Sequence, residues 1–224
     1  MEIKVLKDIL NANNQLAEQN RRLLLGKNIM TINLMSSPGA GKTTLILRTI
    51  EVLQGKARIG VIEGDISSSI DSKKISQAEV PVIQINTGGD CHLDASMVKS
   101  ALTGLPLDSI DILFIENVGN LICPAGFDLG EYLKVIILSA PEGDDKPYKY
   151  PSLFTIAEAL LVNKIDLLPY INFDMGSFQR AIKGLNQKAT IFEISGTTGQ
   201  GIGEWGSWVM EQLKKLRSEK ERAS

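Results

Sequence analysis

The sequence has few cysteines and almost no histidine. Its 224 residues include two cysteines, Cys91 and Cys123, and one histidine, His92. Two cysteines are too few for the disulfide framework of a small secreted domain, and a reducing compartment disfavours even one disulfide. No apolar run approaches the ~20 residues that a membrane-spanning helix needs. The first residues, Met1 to Lys4, also lack the apolar core of a signal peptide. We therefore expect a cytoplasmic protein with no membrane partner.

The sequence also lacks a strong charge of either sign, since its net charge is −2. Nucleic-acid-binding domains usually carry a basic patch, so we expect no nucleic-acid partner. Repeats and low-complexity segments are absent as well. Hydrophobic residues make up 43% and charged residues 22%, which is ordinary for a globular protein. The length suffices for one large domain with a full core.

One glycine-rich stretch predicts a phosphate-binding loop. Residues 36–43 read SSPGAGKT, after an apolar run and before a helix-like run. Such a turn directs backbone N–H groups and the positive end of the helix dipole at one point. Lys42 is placed to reach the β- and γ-phosphates, and the Thr43 hydroxyl to ligate Mg²⁺. Ser36 departs from the usual pattern, which has glycine there, and a glycine-rich loop without a ligand is the alternative. The residues that we expect to contact the nucleotide here are Gly39, Ala40, Gly41, Lys42, Thr43 and Thr44.

Strand-like apolar runs alternate with helix-like segments. Strands are predicted at residues 29–35, 57–62, 80–85, 111–115, 134–138, 159–162 and 189–194, and helices at 4–25, 44–53, 66–79, 93–102 and from 202 onward. The alternation predicts an α/β fold with a doubly wound, mostly parallel sheet at residues 29–218. A helical extension, residues 1–28, precedes it. The mixed-charge end from Lys214 is expected to fray, with 219–224 as the tail. Ligands of such sheets bind at the carboxyl ends of the strands, which the remaining motifs follow.

Acidic residues end two of the predicted strands. Residues 116–119 read ENVG, where a GTPase usually carries Asp-x-x-Gly. The acid, Glu116, would support Mg²⁺ through water, and the Gly119 N–H would sense the γ-phosphate. Asp65 would reach Mg²⁺ or the attacking water, or else cap the following helix. We expect Lys42, Asp65 and Glu116 to serve in-line attack of water on the γ-phosphate. No water-orienting glutamine is evident, so slow turnover is expected.

A second motif points to guanine. Residues 163–166 read NKID after a predicted strand. A carboxylate at Asp166 can accept from N1–H and the 2-amino group of guanine, and adenine lacks both donors. Asn163 would support the base edge, and the Lys164 stem would cover the ring. Ser195 and Gly196, after the next strand, are the expected second contact. Alone the NKID pattern could be a helix cap, but with the phosphate loop it indicates GTP and its product GDP.

The scarce cysteine and histidine residues fall in two of these loops. Cys91 and His92 follow the third strand, and Cys123 lies four positions beyond Gly119. Thiolate and imidazole suit Ni²⁺ and Zn²⁺. Three ligands do not close a tetrahedral structural site, which suits a metal that is handed on. The alternative is two buried, inert thiols and a surface histidine. If Cys123 binds metal, one loop serves both nucleotide and metal, and linkage makes their coupling reciprocal.

These stretches carry a family resemblance. Residues 116–124 (ENVGNLICP) and 87–94 (TGGDCHLD) resemble the HypB family, the nickel-insertion GTPases of nickel–iron hydrogenase maturation. The resemblance implies a nucleotide-linked homodimer with Cys91, His92 and Cys123 as a metal site at the subunit interface. It also implies partnership with a second nickel maturation protein and delivery to the hydrogenase large subunit. The 224 residues hold no CxxCGC motif and no histidine-rich tract, so a second nickel site and nickel storage are not implied.

Other interpretations stay open. A related GTPase could serve urease or protect a cobalamin enzyme, although the urease type is expected to carry a Cys-Pro-His motif, which is absent. A metabolic kinase could use the same phosphate loop, and a binding module would never hydrolyse the nucleotide.

The first helix is expected to pack on the domain or to dock a partner. The charged residues Asp144, Asp145, Lys146 and Lys149 are either solvated or reach across a dimer.

Overall fold

A computed structural model describes residues 4–66 and 70–223 of the chain. Within them a seven-stranded sheet is formed by β1 (Met30–Ser36), β2 (Ile59–Asp65), β3 (Val82–Asn86), β4 (Ile112–Glu116), β5 (Leu133–Ser139), β6 (Ala159–Asn163) and β7 (Thr190–Glu193). The strand order is β3-β2-β4-β1-β5-β6-β7, and every neighbouring pair is parallel. All seven carboxyl ends therefore lie along one edge, as the alternation of strands and helices predicted.

Helices cover both faces of the sheet. The described residues form α1 (Lys4–Gly26), α2 (Lys42–Leu53), α3 (Ile70–Ser76), α4 (Ala95–Leu102), α5 (Lys146–Lys149), α6 (Pro151–Thr155), α7 (Met175–Leu185) and α8 (Ile202–Ala223). Side chains alternate along β1, so that Ile32 and Leu34 pack with α2 and α8, whereas Met35 packs with α6 and α7. The doubly wound α/β fold is confirmed. Among the described helices, none is long and apolar enough to cross a bilayer.

The aromatic residues of α8 belong to the core. Trp205 is fully buried, and its indole N–H donates to the Thr49 hydroxyl on α2 at 2.9 Å. Trp208 stacks on it with ring centroids 5.4 Å apart. The pair thus fixes α8 against α2, the helix that begins at the phosphate loop.

Helix α1 is tied by buried amides to the start of α4 and to the loop before β5. Asn13 accepts from the Ala95 N–H at 2.9 Å and donates to the Asp128 carbonyl at 2.8 Å. Asn20 donates to the carbonyls of Ala95 and Leu129 at 2.9 and 3.1 Å. The sequence predicts an apolar side for this helix, interrupted by the polar residues Asn11 to Gln15. Asn13, within that interruption, is therefore part of the packing surface. Three side chains predicted on that side, Val5, Leu6 and Ile9, lie outside the side chains that the structure describes.

Two predictions about helical segments are corrected. We expected the chain from Lys214 to fray, but α8 continues to Ala223, and the Lys220 ammonium donates to the carbonyls of Leu25 and Gly26 at 3.0 and 2.9 Å. The helix predicted at 66–79 is only Ile70–Ser76, with 67–69 outside the described residues. The division at residues 28 and 218 stays a prediction.

Helix α7 was not predicted. Asp174 caps it by accepting from the Ser177 N–H at 2.8 Å, and Phe178 and Ile182 are buried one turn apart. The apolar spacing that marks such a helix is present in the sequence, but it extends over only three turns.

Candidate nucleotide and metal site

The phosphate loop has the conformation that its glycines permit. Gly39 and Gly41 lie in the left-handed region, with φ of 73° and 101°. A Cβ at Gly41 would also approach the Asn163 side-chain nitrogen at an impossible distance. Lys42 is buried and donates to the Ser36 hydroxyl at 3.0 Å. Burial lowers the pKa of Lys42, and nearby carboxylates partly oppose that effect. The ammonium therefore lies where a phosphate oxygen would relieve its desolvation.

Glu116 and Thr43 form a pair at the start of α2. The Thr43 hydroxyl donates to Glu116 Oε1 at 2.8 Å, and Oε2 is buried with no hydrogen-bond partner among the described residues. Burial raises the pKa of Glu116 to about 7, while Lys42 and Thr43 lower it. A buried carboxylate oxygen without a partner is costly, and a cation would relieve that cost. A hydroxyl and a carboxylate are oxygen ligands that suit Mg²⁺, so these residues fit the ion.

A second buried acid lies beside this pair. Glu63 is directly opposite Glu116 in the pairing of β2 with β4. Burial, followed by the charge of Glu116, raises the pKa of Glu63 to about 8, and its Oε2 has no partner among the described residues. Asp65 ends the same strand two residues later, as predicted. We did not single out Glu63 from the sequence, although it stands in the Glu63-Gly64-Asp65 segment that indicated Asp65.

Gly119 lies against the phosphate loop. A Cβ placed on it would come within 2.9 Å of Pro38 Cα and 3.0 Å of Pro38 N. These are backbone atoms that cannot turn aside as a flexible side chain could. The loop after β4 is therefore in direct contact with the loop that would hold the phosphates.

The NKID segment joins three loops. Asn163 donates to the Ala40 carbonyl at 2.8 Å and accepts from the Gly196 N–H at 3.0 Å. The Lys164 ammonium donates to the Gly39 carbonyl at 2.8 Å. Gly196 lies so close to Thr44 that a Cβ there would be 2.8 Å from Thr44 Cγ2. The phosphate loop and the segment after β7 are thus fixed in place around the expected base pocket.

Asp166 and Ser195 meet as the sequence suggested. The Ser195 hydroxyl donates to Asp166 Oδ1 at 2.6 Å. This bond orients the carboxylate while leaving Oδ2 and further lone pairs available to a ligand. The predicted base contacts are therefore brought together.

The three soft ligands converge. Ligand atoms of Cys91, His92 and Cys123 all lie within 4.8 Å of one another, and Cys91 Sγ is 3.7 Å from His92 Nδ1. Both cysteines are free thiols and partly exposed. The pKa of Cys123 is raised mainly by its hydrogen bond with the neighbouring Cys91 thiol, and burial raises it further. The alternative was two buried, inert thiols and a surface histidine; the thiols are not buried, and metal binding by the three residues stays a prediction.

Two residues that we did not single out contact the loops that carry Cys91, His92 and Cys123. The Phe127 ring stacks on His92 with centroids 3.9 Å apart. The Asn120 carboxamide accepts from the N–H groups of Ile122 and Cys123 at 2.7 and 3.3 Å. Neither role has a sequence signal, because each depends on how the loops fold over one another.

The charged loop makes local contacts. The Lys149 ammonium pairs with Asp145 at 2.5 Å, and Asp144 accepts from the Asp174 N–H at 2.7 Å. Lys146 lies 3.8 Å from Glu142, which also accepts from Ser37 in the phosphate loop. The residues are therefore partly engaged within the protomer, and a contact across a dimer stays a prediction.

Comparisons with known proteins agree with this geometry. The family described as "CobW/HypB/UreG, nucleotide-binding domain" matches residues 30–193. The hydrogenase maturation factor HypB of Escherichia coli K12 is 47% identical over 212 residues, which cover 95% of this chain and 72% of that protein. A probable HypB of Methanocaldococcus jannaschii is 38% identical, over 96% of this chain and 97% of the other. The crystal structure of Helicobacter pylori HypB in complex with nickel superposes with a TM-score of 0.88 at 33% identity, covering 91% of this chain and 96% of that one.

Proposed function

This chain belongs to the CobW/HypB/UreG family and, within it, to the HypB hydrogenase maturation factors, and from that premise we propose that it is a GTP-hydrolysing metallochaperone. It binds Ni²⁺, or Zn²⁺ in its place, and assists nickel insertion into the hydrogenase large subunit. The observation that carries the proposal is that Cys91 and His92 lie close to Cys123, and that the loop of Cys123 also contacts the phosphate loop through Gly119.

Guanine specificity rests on Asp166. Its carboxylate, oriented by Ser195, accepts from N1–H and the 2-amino group of the base. Adenine offers neither donor, so binding ATP would leave a desolvated carboxylate without its partners. The Lys164 stem would cover one face of the ring. Asn163 would support the base edge, and it is itself held by hydrogen bonds to the Ala40 carbonyl and the Gly196 N–H.

Hydrolysis depends on positioning and charge. Thr43 and Glu116 would hold Mg²⁺, and Asp65 would reach the ion or the attacking water; the ion supplies positive charge to the phosphates. Lys42 would bind the β- and γ-phosphate oxygens, and the Gly119 N–H would donate to a γ-phosphate oxygen. No glutamine takes part in this set, so the proposed intrinsic turnover is slow, below about 1 s⁻¹, the low end for ordinary enzymes.

Nickel is the cargo. The two thiols must lose their protons to bind it, so metal uptake releases protons and strengthens with pH. Three ligands from one chain leave room for a fourth from a second subunit or from the acceptor protein. Partial exposure of both cysteines gives the ion a route in and out.

The proposed assembly follows from the family resemblance of residues 87–94 and 116–124. The chain forms a homodimer when GTP is bound and works in the cytoplasm with a second nickel maturation protein. The Helicobacter pylori structure is of HypB with nickel, which supports nickel as the cargo here.

One set of measurements tests the proposal. Purified protein is assayed for turnover of GTP and ATP with Mg²⁺, and for Ni²⁺ stoichiometry by titration. We expect slow turnover of GTP in preference to ATP, and tight nickel binding that is lost in Cys91→Ala. ATP preference would instead indicate a kinase, and the absence of any turnover would indicate a binding module. Nickel binding unchanged in Cys91→Ala would place the metal elsewhere.

A further inference from the structure

The buried side-chain amide of Asn117 joins two loops. One follows β4 and carries Gly119, and the other follows β3 and carries Cys91 and His92. Asn117, just after β4, is 1% exposed. Its Oδ1 accepts from the Val118 N–H at 2.9 Å and from the Leu93 N–H at 3.1 Å. Val118 precedes Gly119, whereas Leu93 follows His92. One oxygen therefore satisfies backbone donors on both loops.

Leu93 is held from a second side. Its side chain is fully buried and lies on the backbone of β2, where a Cβ at Gly64 would be 2.8–2.9 Å from three Leu93 carbon atoms. Gly64 stands between Glu63 and Asp65, the acids at the end of β2. The residue after His92 thus contacts the ends of the two strands that carry the acidic groups of the nucleotide site.

The Asn117 amide cannot rotate freely. Its Nδ2 donates to Asn33 Oδ1 at 3.2 Å, and Asn33 in turn donates to Glu131 Oε1 at 3.2 Å. All three side chains are buried. This chain of bonds fixes which end of the Asn117 amide faces Leu93 and Val118.

We propose that Asn117 is a positioning residue that transmits the nucleotide state to the Cys91–His92 half of the metal site. This inference rests on the function proposed above. There, Cys123 is linked to Gly119 by the chain itself, but Cys91 and His92 belong to a different loop. The Asn117 oxygen provides the missing connection through Leu93.

The physical reason lies in the burial of the two N–H groups. When the γ-phosphate leaves, the loop at Gly119 shifts, and Val118 shifts with it. If Asn117 followed Val118 alone, the Leu93 N–H would lose its acceptor in a place that water does not reach. The lower-energy response is that the Leu93 loop moves with Val118. Because His92 is next to Leu93 whereas Cys123 lies five residues beyond Val118, the two ligands move by different amounts and their relative geometry changes.

The test compares metal affinity in two nucleotide states. We define the coupling ratio as the Ni²⁺ Kd in the GDP state divided by that in the state with a non-hydrolysable GTP analogue. The wild-type ratio is expected to differ from 1 by about 5-fold or more, as is typical of coupled sites. In Asn117→Ala it should fall to within about 2-fold of 1. Nucleotide affinity and nickel stoichiometry should remain close to wild type.

Two variants separate coupling from general damage. Asn117→Asp keeps an oxygen for both N–H groups but loses the Nδ2 donor to Asn33. It should therefore be less stable than wild type while retaining most of the ratio. Asn86→Ala removes an exposed amide that, among the described residues, accepts only from the Gly88 N–H at the start of the loop that carries Cys91 and His92, and it should leave the ratio unchanged. A merely structural role for Asn117 would weaken nickel binding equally in both states and leave the ratio intact.

A second route to the same contact covers the case in which Asn117→Ala does not fold. Gly64→Ala removes no atom of Asn117, but its new methyl group displaces Leu93. It should therefore also lower the coupling ratio. The nickel–thiolate absorption band should then stop responding to nucleotide exchange. A wild-type ratio retained in Asn117→Ala, or in Gly64→Ala where only that variant folds, overturns the inference. A ratio near 1 in the wild type itself instead defeats the nucleotide-linked delivery on which it rests.

Discussion

Asn20→Ala tests how strongly helix α1 is docked. Asn20 is 1% exposed, and its amide donates to two carbonyls, those of Ala95 and Leu129. Ala95 lies three residues after His92, and Leu129 follows the Phe127 that stacks on His92. The amide therefore joins α1 to both segments that carry the metal ligands.

The magnitude follows from those two bonds. Each net hydrogen bond stabilises by about 1 kcal/mol, and the buried space left by the amide adds about 1 kcal/mol more. We expect Asn20→Ala to lower the free energy of unfolding by about 2–3 kcal/mol. For a chain of this size that corresponds to a fall in Tm of about 5–10 °C.

The chain offers a matched control. Asn14 lies on the same helix but is exposed, so Asn14→Ala makes the same chemical change without breaking a buried bond. It should stabilise by a few tenths of a kcal/mol, because alanine favours the helix more than asparagine does. The assay is urea unfolding followed by circular dichroism, with thermal unfolding as the second measurement.

The reasoning fails if the two variants are equally stable, or if Asn20→Ala changes stability by less than about 0.5 kcal/mol. In either case the buried amides of α1 would not be what holds it to the domain, and the helix would depend on its apolar contacts alone.

Three further predictions address the site and the fold. Asp166→Asn should weaken GTP binding at least 10²-fold and improve xanthine-nucleotide binding, because a donor replaces an acceptor; unchanged GTP affinity in nucleotide titrations would remove Asp166 from the base pocket. Cys91→Ala should reduce Ni²⁺ stoichiometry, measured by native mass spectrometry, while leaving GTP affinity within about 2-fold. Arg58 and Arg217 pair with Asp111, and the hydrogen bond from Arg58 is the main cause that lowers its pKa to about 2. A carboxyl whose folded pKa is depressed stabilises above its unfolded pKa and loses that contribution as pH falls through the folded value. Wild type should therefore exceed Asp111→Asn in stability by about 1 kcal/mol above pH ~4, after solvent screening, and by progressively less as the pH falls through about 2; a constant difference across that window would contradict this.

The parts of the structure that depend on local pattern could be predicted from the sequence. The apolar run at 111–115 identifies a buried strand, and the SSPGAGKT turn identifies the junction of a strand and a helix. Both can be predicted because hydrophobic pattern and glycine content are local properties of the sequence. The carboxyl-end rule then places Glu116, Asp166 and Cys123 along one edge without knowledge of any contact.

The remaining features depend on contacts across the fold. Asn13 lies in the polar stretch Asn11 to Gln15 that looked like an interruption of an apolar face, and Asn20 was not singled out, since only the folded loops show which backbone groups lack partners near α1. The end of α8 looked like a frayed tail, since its anchor is the contact of Lys220 with α1. Asn117 stands within a motif that we used for Glu116 and Gly119, yet its bond to Leu93 spans 24 residues of sequence and has no local signature.

The measurement that tests the central claim most directly is the full thermodynamic square on the wild-type protein. Ni²⁺ affinity is measured with GDP and with a non-hydrolysable GTP analogue, and the affinities for both nucleotides are measured with and without Ni²⁺. We predict that the nucleotide changes the metal Kd and that the metal changes the relative nucleotide Kd by the same factor, about 5-fold or more. Affinities that are independent of one another on every side of the square would contradict a single loop serving both ligands.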